Sequence, residues 1–359
     1  MTYAVLLWPH ANVRYFESIK TLAAAELRVM LRAVCGETEV APCRMGGLEL
    51  LTFEAGEPDA RMRSLLAMMS SAYAVFEVRG EALIPLMPGG DLRFGGDLSG
   101  VLKYKGKTNE MFTGLLLNLA VFSSDFAQRF DKPLSVLDPM CGRGTTLFEG
   151  LRRNWDMSGV EIDKTDVGEL TRFVKKYAEY NHLKHKMESA SMTVEGKNAG
   201  ARTRFTLAEN NAAFKADPRT LTVTLGDTLL TDRFYKGRCL HALACDLPYG
   251  VQHESRDGQS RVSLDKLMAR ALQAWKKTLF PGAAVALSFA DCWNLVEQPL
   301  TYLTTRTDLY PLSVVFNQLT EKSTGVEFAG AALYTLPALC IYLYFQADIL
   351  EGVQLTELK

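Results

Sequence analysis

Apolar residues change their period several times along the chain, and each change marks an element. "YAVLLWP" (3–9) is a short apolar run that predicts a strand. From Phe16 to Val34 the pattern shifts: Phe16, Ile19, Leu22, Ala23, Leu27 and Met30 recur at three- and four-residue spacing, an amphipathic helix. "LELLTFE" (48–54) predicts a second strand, Arg61–Met69 a second helix and "AYAVFEVRG" (72–80) a third strand. "PLMPGGDLRFGGD" (85–97) is rich in Gly and Pro and reads as a linker. The next segment ends in an amphipathic helix, within "TNEMFTGLLLNLAVFSSDF". From 133 onward strand-like runs alternate with helical ones. The strand candidates are "SVLD", "MSGVEI", "LTVTLGD", "LHALACD", "AAVALSF", "LSVVFN" and "ALCIYLYF", with helices near 145–153, 164–181 and 261–279. Residues 183–219 are polar and longer than a usual helix-to-strand connection, and they predict no element.

Strand-helix alternation of this kind implies an α/β fold with a mostly parallel sheet covered on both faces. The expected organisation is a small ferredoxin-like α+β domain over 1–96, a linker and lead-in helix over 97–132, and a larger α/β domain over 133–359. With 359 residues there is length enough for two domains and a sizeable core.

Composition narrows the function classes. Apolar content of 48 % and charged content of 23 % are ordinary for a globular protein, and a net charge of −1 excludes a global basic field. The first 96 residues hold nine Lys and Arg against eleven Asp and Glu, so that domain is not basic either. Seven cysteines, at 35, 43, 141, 239, 245, 292 and 340, form no C-x-x-C pair and no zinc-spaced cluster with histidine, so no metal is expected. Scattered thiols of this kind suit a reducing, cytoplasmic setting. The N-terminus lacks the pattern of a secretory leader. The longest apolar runs, near 332–345, fall short of about 18 clean apolar residues, so no membrane span is expected.

Chemistry concentrates at strand ends. "VLDPMCGRGT" places Asp138 at the end of a strand, with Gly142 and Gly144 in the turn before a helix. Glycines there let the chain turn tightly and let a ligand approach the backbone, and the helix start offers free N–H groups. No G-K-[ST] follows, so this is not a phosphate loop. "SGVEID" ends a second strand with Glu161, placed to accept hydrogen bonds from ribose hydroxyls; a helix-capping role for an acid here, Asp163 included, is the competing reading. "TLGDTLL" ends a third strand with Asp227, placed to accept from an adenine amino group or to serve simply as a turn residue. Three acids at three successive strand ends suit one nucleoside ligand.

"ACDLPYG" ends the fourth strand. A nucleobase amine is a weak nucleophile because its lone pair is delocalised into the ring. Asp246 and the Leu247 carbonyl can both accept from such an NH₂ and free that lone pair. Pro248 stiffens the turn, and Tyr249 offers a face for an extruded base. Taken alone, the same residues also make an ordinary turn.

With these residues in place, the chain resembles the class I S-adenosylmethionine-dependent methyltransferases, and within them the group that methylates exocyclic amines of nucleobases. "DPMCGRGT", "GVEID" and "DLPYG" carry the resemblance, and the last is similar to the form found in RNA guanine-N2 methyltransferases, the THUMP-associated enzymes included. The likeness covers about 97–350, and no THUMP module fits in the first 96 residues. It implies a Rossmann-like fold with a seven-stranded, mostly parallel sheet and S-adenosylmethionine as cofactor. Asp138, Pro139, Met140, Cys141, Gly142, Gly144 and Thr145 would line the cofactor near its amino-acid moiety. Glu161 with Ile162 would hold the ribose, and Asp227 with Thr228 the adenine. Asp246, Leu247, Pro248 and Tyr249 would hold the target amine and base. "YKGKTNEMFTG" resembles the segment that precedes the cofactor loop, so Thr108 and Phe112 would touch cofactor or substrate. Arg143 stands where a small polar residue is usual, and it could point to solvent without harm. The implied activity is methylation of guanine N2 in tRNA or rRNA. DNA adenine-N6 methylation, and a non-catalytic RNA-binding protein that keeps the fold, are the alternatives.

Overall fold

The computed structural model describes residues 1–9, 13–86, 92–95, 97–102, 107–247, 256–257, 260–261 and 264–288. Met1–Pro248 and Lys266–Ser288 form one compact unit that holds two sheets.

The first sheet contains β1 (Thr2–Leu7), β2 (Val40–Met45), β3 (Leu48–Glu54), β4 (Ala72–Arg79) and β5 (Ala82–Pro85), with α1 (Val13–Cys35) and α2 (Ala60–Met68) between strands. Its order is β2-β3-β1-β4-β5, and every neighbouring pair is antiparallel. Tyr3, Val5 and Leu7 alternate along β1 and meet Leu27, Met30 and Leu31 of α1 and Leu65 and Leu66 of α2 in one core. Asp59 starts α2 by accepting from the Met62 N–H at 2.8 Å. Three strands and two helices of this layer match the sequence pattern within three residues. The short strands β2 and β5 do not follow from it: their residues alternate weakly and pair at the sheet edges.

The second sheet contains β6 (Ser135–Asp138), β7 (Asp156–Glu161), β8 (Lys184–Val194), β9 (Lys197–Ala208), β10 (Arg219–Leu225), β11 (Leu240–Asp246) and β14 (Leu279–Ser288). The interleaved helices are α3 (Glu110–Phe122), α4 (Thr145–Arg152), α5 (Lys164–Tyr180), α6 (Asn211–Ala216), α7 (Thr231–Phe234) and α8 (Leu264–Thr278). A small ribbon pairs β12 (Arg256–Asp257) with β13 (Ser260–Arg261). The large sheet runs β14-β11-β6-β7-β10-β9-β8. From β14 to β10 it is parallel, and β9 and β8 close the edge as an antiparallel hairpin. The polar segment after α5 is therefore largely this hairpin, in which β8 is mostly exposed and β9 buries only its end, so that no apolar alternation runs its length. The expected strands at 312–317 and 338–345 lie outside the described residues. Among the described residues no helix is long and apolar enough to cross a membrane.

Residues 92–95 do not hang free as a spacer. Arg93 donates to Glu209 (2.5 Å), Asn154 (2.7 Å) and the Asp217 carbonyl (2.7 Å), and Phe94 is buried. A buried polar network joins the two layers. Arg153 donates to Glu149 Oε2 (2.5 Å), to Asn118 Oδ1 (3.1 Å) and to the Met68 carbonyl (3.2 Å). Asn118 on α3 donates in turn to Glu26 Oε1 on α1 (2.6 Å). Ser70 supplies a backbone N–H (3.0 Å) and a hydroxyl (2.7 Å) to the same Glu26 carboxyl. Burial raises the pKa of Glu26, against the pull of these donors and of Arg153. At Glu149, Arg153 and Arg152 overcome the effect of burial and hold the carboxyl below its usual range. α4 also sits close on β7: a Cβ at Gly150 would collide with the Met157 side chain.

Arg153→Met would leave Glu149 buried with half of its positive partners gone. Loss of one member of a buried pair costs about 3–5 kcal/mol, so the urea midpoint should drop sharply. A midpoint equal to that of the unaltered chain would show that the network does not hold the layers together.

Candidate active site

The chain leaves β6 in one direction through β7 and β10, then returns to the other side of β6 as β11. Between β6 and β11 the strand order reverses, and in open parallel sheets ligands sit beyond the strand ends at such a point. Asp138 is the last residue of β6, Glu161 of β7 and Asp246 of β11, while Asp227 stands two residues past β10. The topology thus gathers the four carboxylates along one edge of the sheet, flanking the reversal.

Asp138 ends its strand out of contact with water, at 2 % exposure. Its Oδ1 accepts the Met140 N–H at 3.1 Å, and the Thr146 hydroxyl and Cys245 thiol also donate to it. Burial pushes its pKa up to about 7, those three donors oppose the rise, and Glu161 adds to it. Pro139 is buried behind it and Met140 half-buried. Gly142 (φ +49) and Gly144 (φ +92) both adopt the left-handed backbone that the turn requires. A Cβ at Gly144 would also press on Leu170 of α5 at 2.8 Å, whereas at Gly142 nothing lies within 4 Å. The loop is therefore packed on its inner side and open at Gly142.

Glu161 spans the loop. Its Oε2 accepts the Gly142 N–H and its Oε1 the Asp163 N–H, both at 2.8 Å. Burial raises its pKa, with these N–H donors working against the rise. Asp163 caps α5 through the N–H groups of Thr165 and Asp166, as the helix-cap reading expects. Ile162, next to Glu161, is 67 % exposed, a large apolar side chain bare to water at the strand tip. Arg143 does not take the course to solvent that its position left open. It pairs with Asp166 (2.8 Å) and Glu169 (2.5 Å), because α5 presents two carboxylates beside the turn.

Asp227 Oδ1 accepts the Leu229 N–H at 2.8 Å, starting the short turn Thr228–Leu230. The Thr228 hydroxyl faces inward and accepts the Trp275 indole N–H at 3.0 Å. Its side chain is therefore spent on the core. Asp246 is held by two hydroxyls: Thr108 donates to Oδ2 at 2.5 Å, and Ser288 at the end of β14 donates to Oδ1. Thr108 thus reaches the candidate amine-binding carboxylate across 138 positions of sequence. Phe112 lies in the first turn of α3, half-buried, its N–H given to Asn109 at 3.2 Å. Thr145 and Cys141 are buried at the start of α4 and in the loop, and Leu247 is buried past β11. Burial and the nearby Asp138 push the Cys141 thiol well up, so it stays protonated. Pro248 and Tyr249 lie outside the described residues. Ser288 and Thr146 were not read from sequence. Thr146 had a signal, the second threonine of "GTT", but Ser288 carries none until the strands pair.

No protein-family model matches the chain, and no curated protein does. Among solved structures, the one titled "Crystal Structure of PH0851" aligns with 10 % identity and a TM-score of 0.31, over 86 % of this chain and 50 % of that one. The chain thus spans about half the length of that protein.

A raised carboxyl pKa in the folded state means that the folded chain keeps a proton the unfolded chain has released. Between about pH 4 and pH 7, stability should therefore fall as pH rises, by up to about 4 kcal/mol for Asp138 alone, with Glu161 acting in the same direction. Asp138→Asn should flatten that slope in unfolding curves taken at pH 4.5 and 7.5. Equal slopes in the two proteins would show that Asp138 is ordinarily ionised.

Proposed function

We propose that the chain is a class I, Rossmann-like S-adenosylmethionine-dependent methyltransferase, joined to a ferredoxin-like N-terminal domain, and that it methylates an exocyclic amine of a nucleobase in RNA, guanine N2 first of all. The observation that carries this reading is the placing of Asp138 and Glu161 on one side of the strand-order reversal and Asp246 on the other, with an open glycine turn between. The acid set suits the cofactor: the carboxyls at these strand ends have lone-pair capacity for hydroxyl and amino groups, and exposed Ile162 beside Glu161 suits the flat apolar face of adenine. The open space at Gly142 leaves room for a ligand against the backbone.

Asp138, Gly142 and Gly144 would then border the amino-acid end of the cofactor, Glu161 the ribose, and Asp227 the adenine amine. When bound, S-adenosylmethionine supplies an electrophilic methyl group. The chain's own part is positioning. Asp246 accepts a hydrogen bond from the target NH₂ and frees the nitrogen lone pair, and the Leu247 carbonyl accepts the second hydrogen. Thr108 and Ser288 restrain the Asp246 carboxylate, so its acceptor direction is set before substrate arrives. Pro248 and Tyr249 would complete the corner against the base.

Tritiated methyl from the cofactor should enter unmodified RNA as N2-methylguanosine. Asp246→Ala should lower turnover by about 100-fold or more, the scale for losing one positioned transition-state contact, while cofactor affinity by calorimetry stays close to that of the unaltered chain. Label in DNA alone would replace RNA with DNA adenine as the substrate. Cofactor binding without transfer to any nucleic acid would leave a non-catalytic RNA-binding protein, and no heat on adding the cofactor would remove the whole reading.

A further inference from the structure

Thr108 meets Asp246 from residues 107–109, which belong to no helix or strand. A hydroxyl carried on irregular backbone keeps its aim only if that backbone is held, and two anchors flank it. On one side Asn109 caps α3: its side-chain oxygen accepts the Met111 N–H at 2.8 Å and the Phe112 N–H at 3.2 Å. On the other side Lys107 reaches back eight residues and donates to the Ser99 carbonyl at 2.5 Å. The same ammonium donates to Glu110, in the first turn of α3, at 2.5 Å.

Ser99 is a fixed point. It is 2 % exposed, and its hydroxyl donates to Glu149, the carboxyl that Arg153 also holds. Arg152 donates to both groups, at 3.3 Å to the Ser99 hydroxyl and at 2.6 Å to Glu149. Just upstream, the Asp97 carbonyl accepts the Gly100 and Val101 N–H groups at 2.8 and 3.0 Å, and its carboxylate accepts the Tyr177 hydroxyl at 2.8 Å. Lys107 thus ties the residue before Thr108 to the buried network that joins the two layers.

The Lys107 side chain is only 11 % exposed. Lys103, Lys105 and Lys107 alternate in "LKYKGKTNE", a pattern that suits contacts with a phosphate backbone, yet the Lys107 ammonium is turned into the protein. A pair with Glu110 alone could form at the surface without the desolvation that this burial costs.

We propose that Lys107 is a positioning residue: it holds the backbone on the N-terminal side of Thr108 and so sets the Thr108 hydroxyl on Asp246. The proposal rests on the reading of Asp246 as the carboxylate that receives the target amine. The bonds of Lys107 go to Ser99 and Glu110, so its effect on Asp246 passes through Thr108. Slack there is costly, because a displacement of about 1 Å at a reacting group can lower a rate about 100-fold.

Steady-state methyl transfer to RNA tests this. Lys107→Met should lower kcat by about tenfold or more, with KM for cofactor and for RNA close to those of the unaltered chain. Lys107→Arg should keep most of the rate, because a guanidinium can donate to the same carbonyl. Thr108→Val should lower kcat as well, and adding Lys107→Met to it should lower kcat no further. Losses that multiply in the double variant would overturn the proposal. A raised KM for RNA at unchanged kcat would overturn it too, by making Lys107 a phosphate contact. If the unaltered chain transfers no methyl group, the proposed function falls, and hydrogen exchange then reads the tie. Lys107→Met should speed exchange of the Met111, Phe112 and Thr113 amides severalfold and leave those of β8 and β9 unchanged. Exchange equal to that of the unaltered chain would overturn the positioning role by itself.

Discussion

The Arg153 guanidinium, almost wholly out of water, has to find partners for its donors, and it finds them on both sides of the molecule. Glu149 lies one turn back on α4, Asn118 on α3, and the Met68 carbonyl at the end of α2. A buried cation tolerates no loose geometry, since each unpaired donor would carry its full desolvation penalty. α4 is thereby fixed at its C-terminal end against the helices of the first sheet. The N-terminal end of that helix is the glycine turn under Asp138. The position of the turn thus follows from a network two helical turns away.

At the site itself, burial and hydrogen bonding oppose each other. Asp138 and Glu161 are desolvated, which favours their neutral forms, and each is partly compensated: Asp138 by the Thr146 hydroxyl, the Met140 N–H and the Cys245 thiol, Glu161 by the Asp163 and Gly142 N–H groups. A carboxylate has lone-pair capacity beyond the donors seen here, so Glu161 can keep its Gly142 and Asp163 bonds and still accept from a ligand. Asp246 draws two hydroxyl donors from distant segments, Thr108 and Ser288.

Much of this arrangement was legible in the sequence where chemistry and period coincide. The strands ending in Asp138 and Asp246 have the limits that "SVLD" and "LHALACD" suggest, because each is a short apolar run closed by an acid and a turn. The helix-capping alternative for Asp163 and the turn alternative for Asp227 both describe real contacts, and neither denies a ligand role to the acids beside them. What could not be read is what long-range pairing decides. In the β8–β9 hairpin β8 is mostly exposed and β9 buries only Phe205, Leu207 and Ala208 at its end, too short a stretch to make an apolar stripe. β2 contains a proline and lies at an edge, which weakens any strand signal. The meeting of Thr108 and Ser288 at one carboxylate depends on strand order, and strand order is not written in local pattern. The partners of Arg143 escape local pattern for the same reason: they lie on the next helix.

One close contact reaches beyond the present molecule. Gly150 stands inside α4, where glycine weakens a helix by about 1 kcal/mol relative to alanine, and the vacancy of its missing side chain is filled by Met157 of β7. Position 150 is not free to gain a side chain while Met157 fills that space. In the genetic history of this chain, a methyl group could enter position 150 only on a background already shortened at 157, so the two sites are expected to drift as a linked pair in a fixed order.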